Sequence, residues 1–333
     1  MTPEVLLNVK GLETQFATRQ GMVHAVNGVS FALRRGEVLS LVGESGCGKT
    51  VTMLSLLRLL PSHSATTTAD EITFNGRDML SLGEEEMRRI RGADIGMVFQ
   101  NPMTSLNPVL TIGRQITETM EAHLNLSRKE ARDGAVELLS LVGIPSPEER
   151  IDDYPHQFSG GMRQRALIAM ALSCDPSLLI ADEPTTALDV TIQAQILELV
   201  ARLRASRDMA MIWITHDLGV VADLADWVAV MYGGFIVECA GVDEIFESPL
   251  HPYTLGLLAC LPQIEGDRRQ RLTVIPGQPP SMKEKPRGCP FADRCAYVLE
   301  RCRADNPPLM KIGNERRVAC WWDVGSSRER LES

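Results

Sequence analysis
No apolar run in this chain approaches the roughly 20 residues needed to cross a bilayer, so any membrane role has to come through a partner. The segment Met1–Lys10 has no basic stretch followed by an apolar core, and therefore no visible secretory signal. The chain is expected to be soluble and to stay in the compartment where it is made. Positive charge is not in excess: the formal net charge is -9, which disfavours general nucleic-acid binding. Internal repeats, low-complexity tracts and long heptad runs are also missing, which argues against solenoids and coiled coils.

What remains is 333 residues of ordinary hydrophobic content, 44%, enough for one large domain with an appendage or for two modest domains. Short β-rich runs open the chain at Val5–Lys10 and Val23–Leu33, followed by a buried strand over Gly36–Val42. A helix is expected over Thr50–Leu60, stopped by Pro61, and a further strand over Asp94–Phe99. From about 101 to 172 the pattern is helical, broken at Gly143-Ile144-Pro145. Strands return at Leu178–Asp182, Met211–Thr215 and Val228–Tyr232, with a helix over Thr191–Arg204 between the first two. Strands alternating with helices predict an α/β fold whose mostly parallel sheet is covered on both faces. The division expected is a main domain over 1–250, with a helical lobe inserted in it at about 101–172, and an extension over 251–333 dense in Pro, Arg and Cys.

The first chemistry-bearing motif is Gly43-Glu44-Ser45-Gly46-Cys47-Gly48-Lys49-Thr50, which fills every required place of a P-loop. Its glycines let successive N–H groups turn inward as a nest for phosphate oxygens, and the following helix adds its positive end. Lys49 is the candidate contact for the β- and γ-phosphates of ATP, and the Thr50 hydroxyl for Mg²⁺. Cys47 is read as a small side chain tolerated beside the phosphates, with a catalytic thiol as the alternative. A second motif, Leu178-Leu179-Ile180-Ala181-Asp182-Glu183, carries two carboxylates on the carboxyl end of an apolar strand. Asp182 there can hold Mg²⁺ through water, and Glu183 can polarise an attacking water as general base. The bland reading of the pair, a solvated turn, weakens in the presence of the P-loop.

A third motif is the heptapeptide Phe158-Ser159-Gly160-Gly161-Met162-Arg163-Gln164, which alone could be a Ser/Gly-rich helix cap. Taken in order with the other two it resembles the signature loop of ATP-binding-cassette (ABC) transporter ATPases. The resemblance covers about residues 5–250 and implies a P-loop ABC ATPase with a RecA-like core, a β-rich N-terminal subdomain and a helical lobe. It also assigns roles. Gln100 is the γ-phosphate-sensing glutamine, and His216 the histidine that contacts the same phosphate. Ser159, Gly160 and Gly161 reach ATP held by a partner subunit, and Asp189, in Thr186-Ala187-Leu188-Asp189, crosses to that partner. Phe16 is the candidate for adenine stacking, with a core role for Phe16, or His24 in its place, as alternatives. Phe158 stands where leucine is commoner in the family.

Finer features, Gln100 to Pro108, Tyr154-Pro155-His156-Gln157 and His251-Pro252-Tyr253-Thr254, resemble the dipeptide/oligopeptide importer ATPases. That resemblance implies a peripheral subunit on the cytoplasmic face of the membrane. It would pair with a paralogous ATPase and act on two transmembrane permease subunits, served by an extracytoplasmic binding protein. The segment Gln100–Pro108 would receive a permease coupling helix. Importers of nickel, glutathione or other small solutes remain alternatives, as do, more remotely, an exporter, a non-transport ABC ATPase and a redox-sensing regulator. In the extension, Cys289, Cys295, Cys302 and Cys320 are spaced C-x5-C-x6-C-x17-C, with no tight knuckle of the kind structural zinc prefers. Four thiolates at these intervals suit a larger group, and relatives with this tail imply a 4Fe–4S cluster; Zn²⁺ and unligated or disulfide-bonded thiols are the alternatives. Trp321 and Trp322 are expected to pack this module.

Overall fold
The computed structural model describes residues 4–186, 188–261, 274–313 and 315–330. The chain opens with two long strands, β1 (Val5–Thr18) and β2 (Gly21–Arg34), and the buried strand β3 (Val38–Val42) leads through the P-loop into helix α1 (Lys49–Leu56). Strands β4 (Ala65–Thr68), β5 (Glu71–Phe74) and β6 (Arg77–Asp78) then complete an antiparallel sheet ordered β2-β1-β5-β6, with β4 also on β1. Alternation makes this possible: Leu7 and Val9 of β1 are buried while Asn8 is half-buried and Lys10 exposed.

A run of helices begins with α2 (Glu84–Arg89) and resumes after strand β7 (Ile95–Val98) with α3 (Pro102–Ser105), α4 (Ile112–Leu124), α5 (Arg128–Leu141), α6 (Pro147–Arg150) and α7 (Gly160–Ala171). Local chemistry sets several of these ends. Thr111 caps α4 through the Arg114 amide, and Ser127 and Glu130 form a reciprocal capping box on α5. Strand β8 (Leu178–Asp182), helix α8 (Val190–Ser206) and strand β9 (Ala210–Thr215) follow. Strands β7, β8 and β9 are parallel neighbours, with Ile180 of β8 opposite Met97 of β7 and Ile212 of β9. Every residue of β8 and β9 is buried, the continuous apolar pattern expected of strands covered on both faces.

The chain then runs through α9 (Leu218–Leu224), β10 (Trp227–Tyr232), β11 (Phe235–Gly241), α10 (Val242–Glu247) and α11 (Pro252–Ala259). Beyond it lie α12 (Glu300–Ala304) and the short strands β12 (Met310–Ile312), β13 (Arg316–Val318), β14 (Trp322–Asp323) and β15 (Arg328–Glu329). Two compact units emerge. One holds 1–6, 34–38 and 81–214, and with them the helical run and β7–β9; the other holds 7–33, 39–80 and 215–333. The extension thus folds in the unit that carries the P-loop. There β3 pairs in parallel with β10, β10 with β11 in antiparallel, and the tail adds β13 and then β12 to the edge of β11. The sheet strands fall where the apolar runs put them, but the antiparallel additions from the tail have no counterpart in its weak periodicity.

A buried carboxylate fastens this addition. Glu238 in β11 is fully buried; its two oxygens accept the Leu250 amide at 2.7 Å, the His251 amide at 2.9 Å and the Arg316 guanidinium of β13 at 2.9 Å. A buried ion pair is costly to break from one side, because the remaining charge has no partner. Arg316→Met is therefore expected to lower the unfolding free energy by about 3–5 kcal/mol, read as a shifted midpoint in chemical denaturation. An unshifted midpoint would show that Glu238 is adequately served by the two amides.

Candidate functional site
In the P-loop, backbone geometry does most of the shaping. Gly43 and Gly48 have φ of 152° and 105°. A Cβ on Gly43 would lie 2.2 Å from the Met231 carbonyl oxygen, and one on Gly48 2.4 Å from that of Ala25. Only glycine fits where the loop is pressed this closely against β10 and β2. Gly46, with φ of 80°, has nothing near its missing Cβ and faces open space, as does the exposed Ser45. Lys49 is buried, and its ammonium donates to the carbonyls of Gly43 at 2.7 Å and Glu44 at 3.2 Å, across the mouth of the loop. Cys47 is buried too, and burial raises its thiol pKa despite the lowering effect of nearby Lys49. A neutral thiol does not serve as a nucleophile, so the side chain acts as a packing group. Thr50 opens α1, next to Lys49.

The loop is also gripped from the extension. Tyr253 is fully buried, and its hydroxyl accepts the Glu44 amide at 2.9 Å. Arg294 holds the Glu44 carboxylate in a fork, at 2.6 and 3.0 Å. Neither residue was legible as part of the site. The Tyr253 motif was visible only as a family mark, and Arg294 carried no signal.

In the other unit, Asp182 ends β8 and is buried, with Ile214 opposite it in β9. Glu183 follows with φ of 46°, a left-handed conformation that costs a non-glycine residue about 1–3 kcal/mol. Its amide donates to the Ile214 carbonyl at 2.9 Å, which holds the turn. The carboxylate thereby meets Gln100, whose Nε2 donates to Oε2 at 3.0 Å, and Thr186, whose hydroxyl donates to the same oxygen at 2.9 Å. Gln100 and Glu183, chosen separately from the sequence, are thus direct partners. Thr186 opens the motif that ends at Asp189, and its contact follows from the three-residue turn between them. Ala187 lies outside the described residues. Asp189 caps α8 by accepting the Ile192 amide at 3.0 Å.

Ser159 likewise caps α7, accepting the Met162 amide at 3.3 Å, so the plain capping chemistry is present alongside any further role. Ser159 and Gly160 are exposed, and nothing lies near the missing Cβ of Gly160. Gly161 is different: a Cβ there would sit 2.8 Å from the Ile192 side chain of α8. His216 is exposed immediately after β9, beside Asp217, which caps α9 through the Gly219 amide at 2.9 Å. Phe16 is half-buried on β1 opposite Ala65, and His24 is half-buried on β2.

The cysteines of the expected metal centre come together without forming a metal-binding group among the described residues. Cys289, Cys295, Cys302 and Cys320 do line one apolar cavity, together with His251, Phe291 and Trp321. Among the described residues, however, no three His, Cys, Asp or Glu side chains are disposed to hold a metal ion. Two of the thiols accept local amides: the Tyr297 amide donates to Cys295 Sγ at 3.3 Å and the Leu299 amide to Cys302 Sγ at 3.5 Å. Burial pushes the Cys289 thiol up to about 12 and Cys320 up to about 11, and raises Cys295. Trp321 is buried, donating Nε1–H to the Asp305 carbonyl at 3.1 Å, and packs the module.

Comparison with known proteins gives these motifs a context. A sequence family described as ABC transporter matches residues 26–186, and one described as oligopeptide/dipeptide transporter, C-terminal region, matches 237–302. The oligopeptide transport ATP-binding protein OppD of Bacillus subtilis is 53% identical over 95% of this chain and 88% of its own. The dipeptide transport ATP-binding protein DppD of the same organism is 52% identical over 96% and 95%. Among solved structures, a dimeric post-hydrolysis state of an ATP-binding cassette bound to ADP and Pi matches with a TM-score of 0.64 at 25% identity, covering 71% of this chain and 98% of that one.

The contrast between two glycines tests the loop geometry. Gly48→Ala should cost about 3 kcal/mol or more, since its Cβ meets backbone, whereas Gly46→Ala should cost about 1 kcal/mol from φ alone. Equal thermal destabilisation of the two variants would mean that the contact with Ala25 does not set the loop.

Proposed function
The chain belongs to the ATP-binding subunits of ABC transporters, in their oligopeptide/dipeptide branch, and from that premise we propose that it spends ATP to drive uptake of di- or oligopeptides. The observation that carries the reading is the presence in one chain of a preformed P-loop nest around Lys49 and the peptide-transporter C-terminal region. Loop amides from Gly43 to Gly48 take phosphate oxygens, and Lys49 exchanges its two carbonyl partners for the β- and γ-phosphates. Thr50 and Asp182 offer a hydroxyl and a carboxylate, all-oxygen donors of the kind Mg²⁺ prefers. Mg²⁺, when bound, neutralises charge on the phosphates. Glu183 orients and deprotonates the attacking water, with Gln100 and Thr186 fixing its carboxylate in place. His216 contacts the γ-phosphate, and Phe16 stacks on adenine.

Ser159, Gly160, Gly161 and Asp189 serve a nucleotide held by a second ATPase subunit, which we take to be a paralogue. Two transmembrane permease subunits and an extracytoplasmic binding protein complete the assembly, with this chain peripheral on the cytoplasmic face. Among the described residues no helix is long and apolar enough to cross a membrane. Phe99, Met103 and Val109 are 41%, 64% and 74% exposed around the segment assigned to the permease contact, an apolar surface suited to a partner helix.

Glu183→Gln in the assembled transporter, with the partner's site silenced, is expected to leave ATP binding intact and to slow hydrolysis by about 10²–10⁴-fold. Turnover at the original rate would remove Glu183 as the base. For the four cysteines the reading is narrower: they hold an iron–sulfur cluster or zinc once their thiols are deprotonated, which would staple a tail with little apolar core. Metal analysis of anaerobically purified protein decides it. About four irons with absorption near 400 nm supports the cluster, and one zinc supports a single-ion staple. No metal leaves the tail held by packing alone.

A further inference from the structure
Arg294 lies in the extension between Cys289 and Cys295, yet its guanidinium serves the P-loop. Its side chain is 5% exposed, and all five of its N–H donors are used. Nε donates to the Pro276 carbonyl at 2.9 Å, and one terminal nitrogen donates to Glu44 Oε2 at 2.6 Å and the Tyr232 hydroxyl at 3.1 Å. The other donates to Glu44 Oε1 at 3.0 Å and the Ile275 carbonyl at 3.2 Å. The surroundings hold it from below: Phe291 meets the Tyr232 ring edge-on at 5.2 Å and the Tyr253 ring at 5.4 Å. Glu44 is therefore fixed at both ends, by its carboxylate in the Arg294 fork and by its amide on the Tyr253 hydroxyl. It is also the residue whose carbonyl, with that of Gly43, receives Lys49.

A planar guanidinium with every donor satisfied permits one orientation, and a bidentate fork transmits that orientation to the carboxylate it grips. We propose that Arg294 is a positioning residue for nucleotide binding, through which the C-terminal extension sets the shape of the P-loop at Glu44. ATP affinity then depends on the tail, though no tail residue touches phosphate. The proposal rests on the P-loop being the nucleotide site, as above.

The test is an equilibrium titration of the full-length chain with a fluorescent ATP analogue. Arg294→Met is expected to weaken binding about tenfold, and Arg294→Lys to recover only part of the loss, since an ammonium cannot fork. Tyr253→Phe, which keeps the ring and removes only the hydroxyl, should weaken binding as well, and it serves should Arg294→Met not fold. In a Glu44→Gln background Arg294→Met should add little, because its route is already cut. A merely structural Arg294 would lower the melting temperature and leave analogue affinity unmoved. The proposal is overturned if Arg294→Met binds as the parent does, if Tyr253→Phe does so where Arg294→Met does not fold, or if Arg294→Met costs the same factor in both backgrounds. Lys49→Ala separates the two levels: its failure to weaken binding overturns the P-loop assignment itself, whereas a loss there with none in Arg294→Met overturns the positioning role alone.

Discussion
The carboxylate of Glu238 sits wholly inside the protein, and a charge so placed must be neutralised and hydrogen-bonded for its surroundings to persist. Meeting that need organises the P-loop unit. The two amides that Glu238 accepts belong to Leu250 and His251, so the chain is pinned where α11 begins. His251 caps that helix through Nδ1, which accepts the Tyr253 amide at 3.0 Å; burial drives its pKa down to about 3, so the ring stays neutral and able to accept. The cap aims Tyr253, whose hydroxyl takes the Glu44 amide. A buried charge on one strand is in this way connected, link by link, to the P-loop at Glu44.

The same loop is shaped from the opposite direction by exclusion. Gly43 and Gly48 are where they are because carbonyls of Met231 and Ala25 stand in the way of any side chain. Contact on the sheet side and hydrogen bonds on the extension side leave little freedom in the loop between them. Lys49 is the part left to move: its bonds to two carbonyls are ones that phosphate oxygens can replace at small cost, since ammonium donors are exchanged like for like. Strain is placed on the other half-site by a different means. Glu183 occupies a left-handed conformation that the Ile214 carbonyl maintains, and that turn is what brings its carboxylate to Gln100 and Thr186.

Legibility in the sequence followed the range of the forces involved. Strands β3, β7, β8, β9 and β10 lie within a residue or two of their apolar runs because burial on both faces writes a continuous pattern. The P-loop and the Asp182-Glu183 pair were readable because their chemistry is local: consecutive amides, adjacent carboxylates. Ser159 and Asp189 show the ambiguity of such local signals, since each caps its helix whatever else it does. For the cysteines, spacing and resemblance suggested a ligand set; the fold gathers all four around one apolar cavity beside Phe291 and Trp321, with no metal-binding group formed among the described residues. The edge strands β12 and β13 were invisible because each is three residues long and gains its stability from β11.

What sequence could not show at all was contact across 209 residues, from Glu44 to Tyr253, or 250, from Glu44 to Arg294. Nothing in the local pattern around Arg294 distinguishes it from any other arginine in a basic tail. Its meaning comes from burial: a guanidinium excluded from water must find five acceptors, and two of those it found belong to a P-loop carboxylate. The ABC transporter match ends at residue 186, and both Tyr253 and Arg294 fall in the 237–302 region that marks the peptide branch. The region matched by the oligopeptide/dipeptide family is thus bonded to a loop inside the region matched by the ABC transporter family, at Glu44.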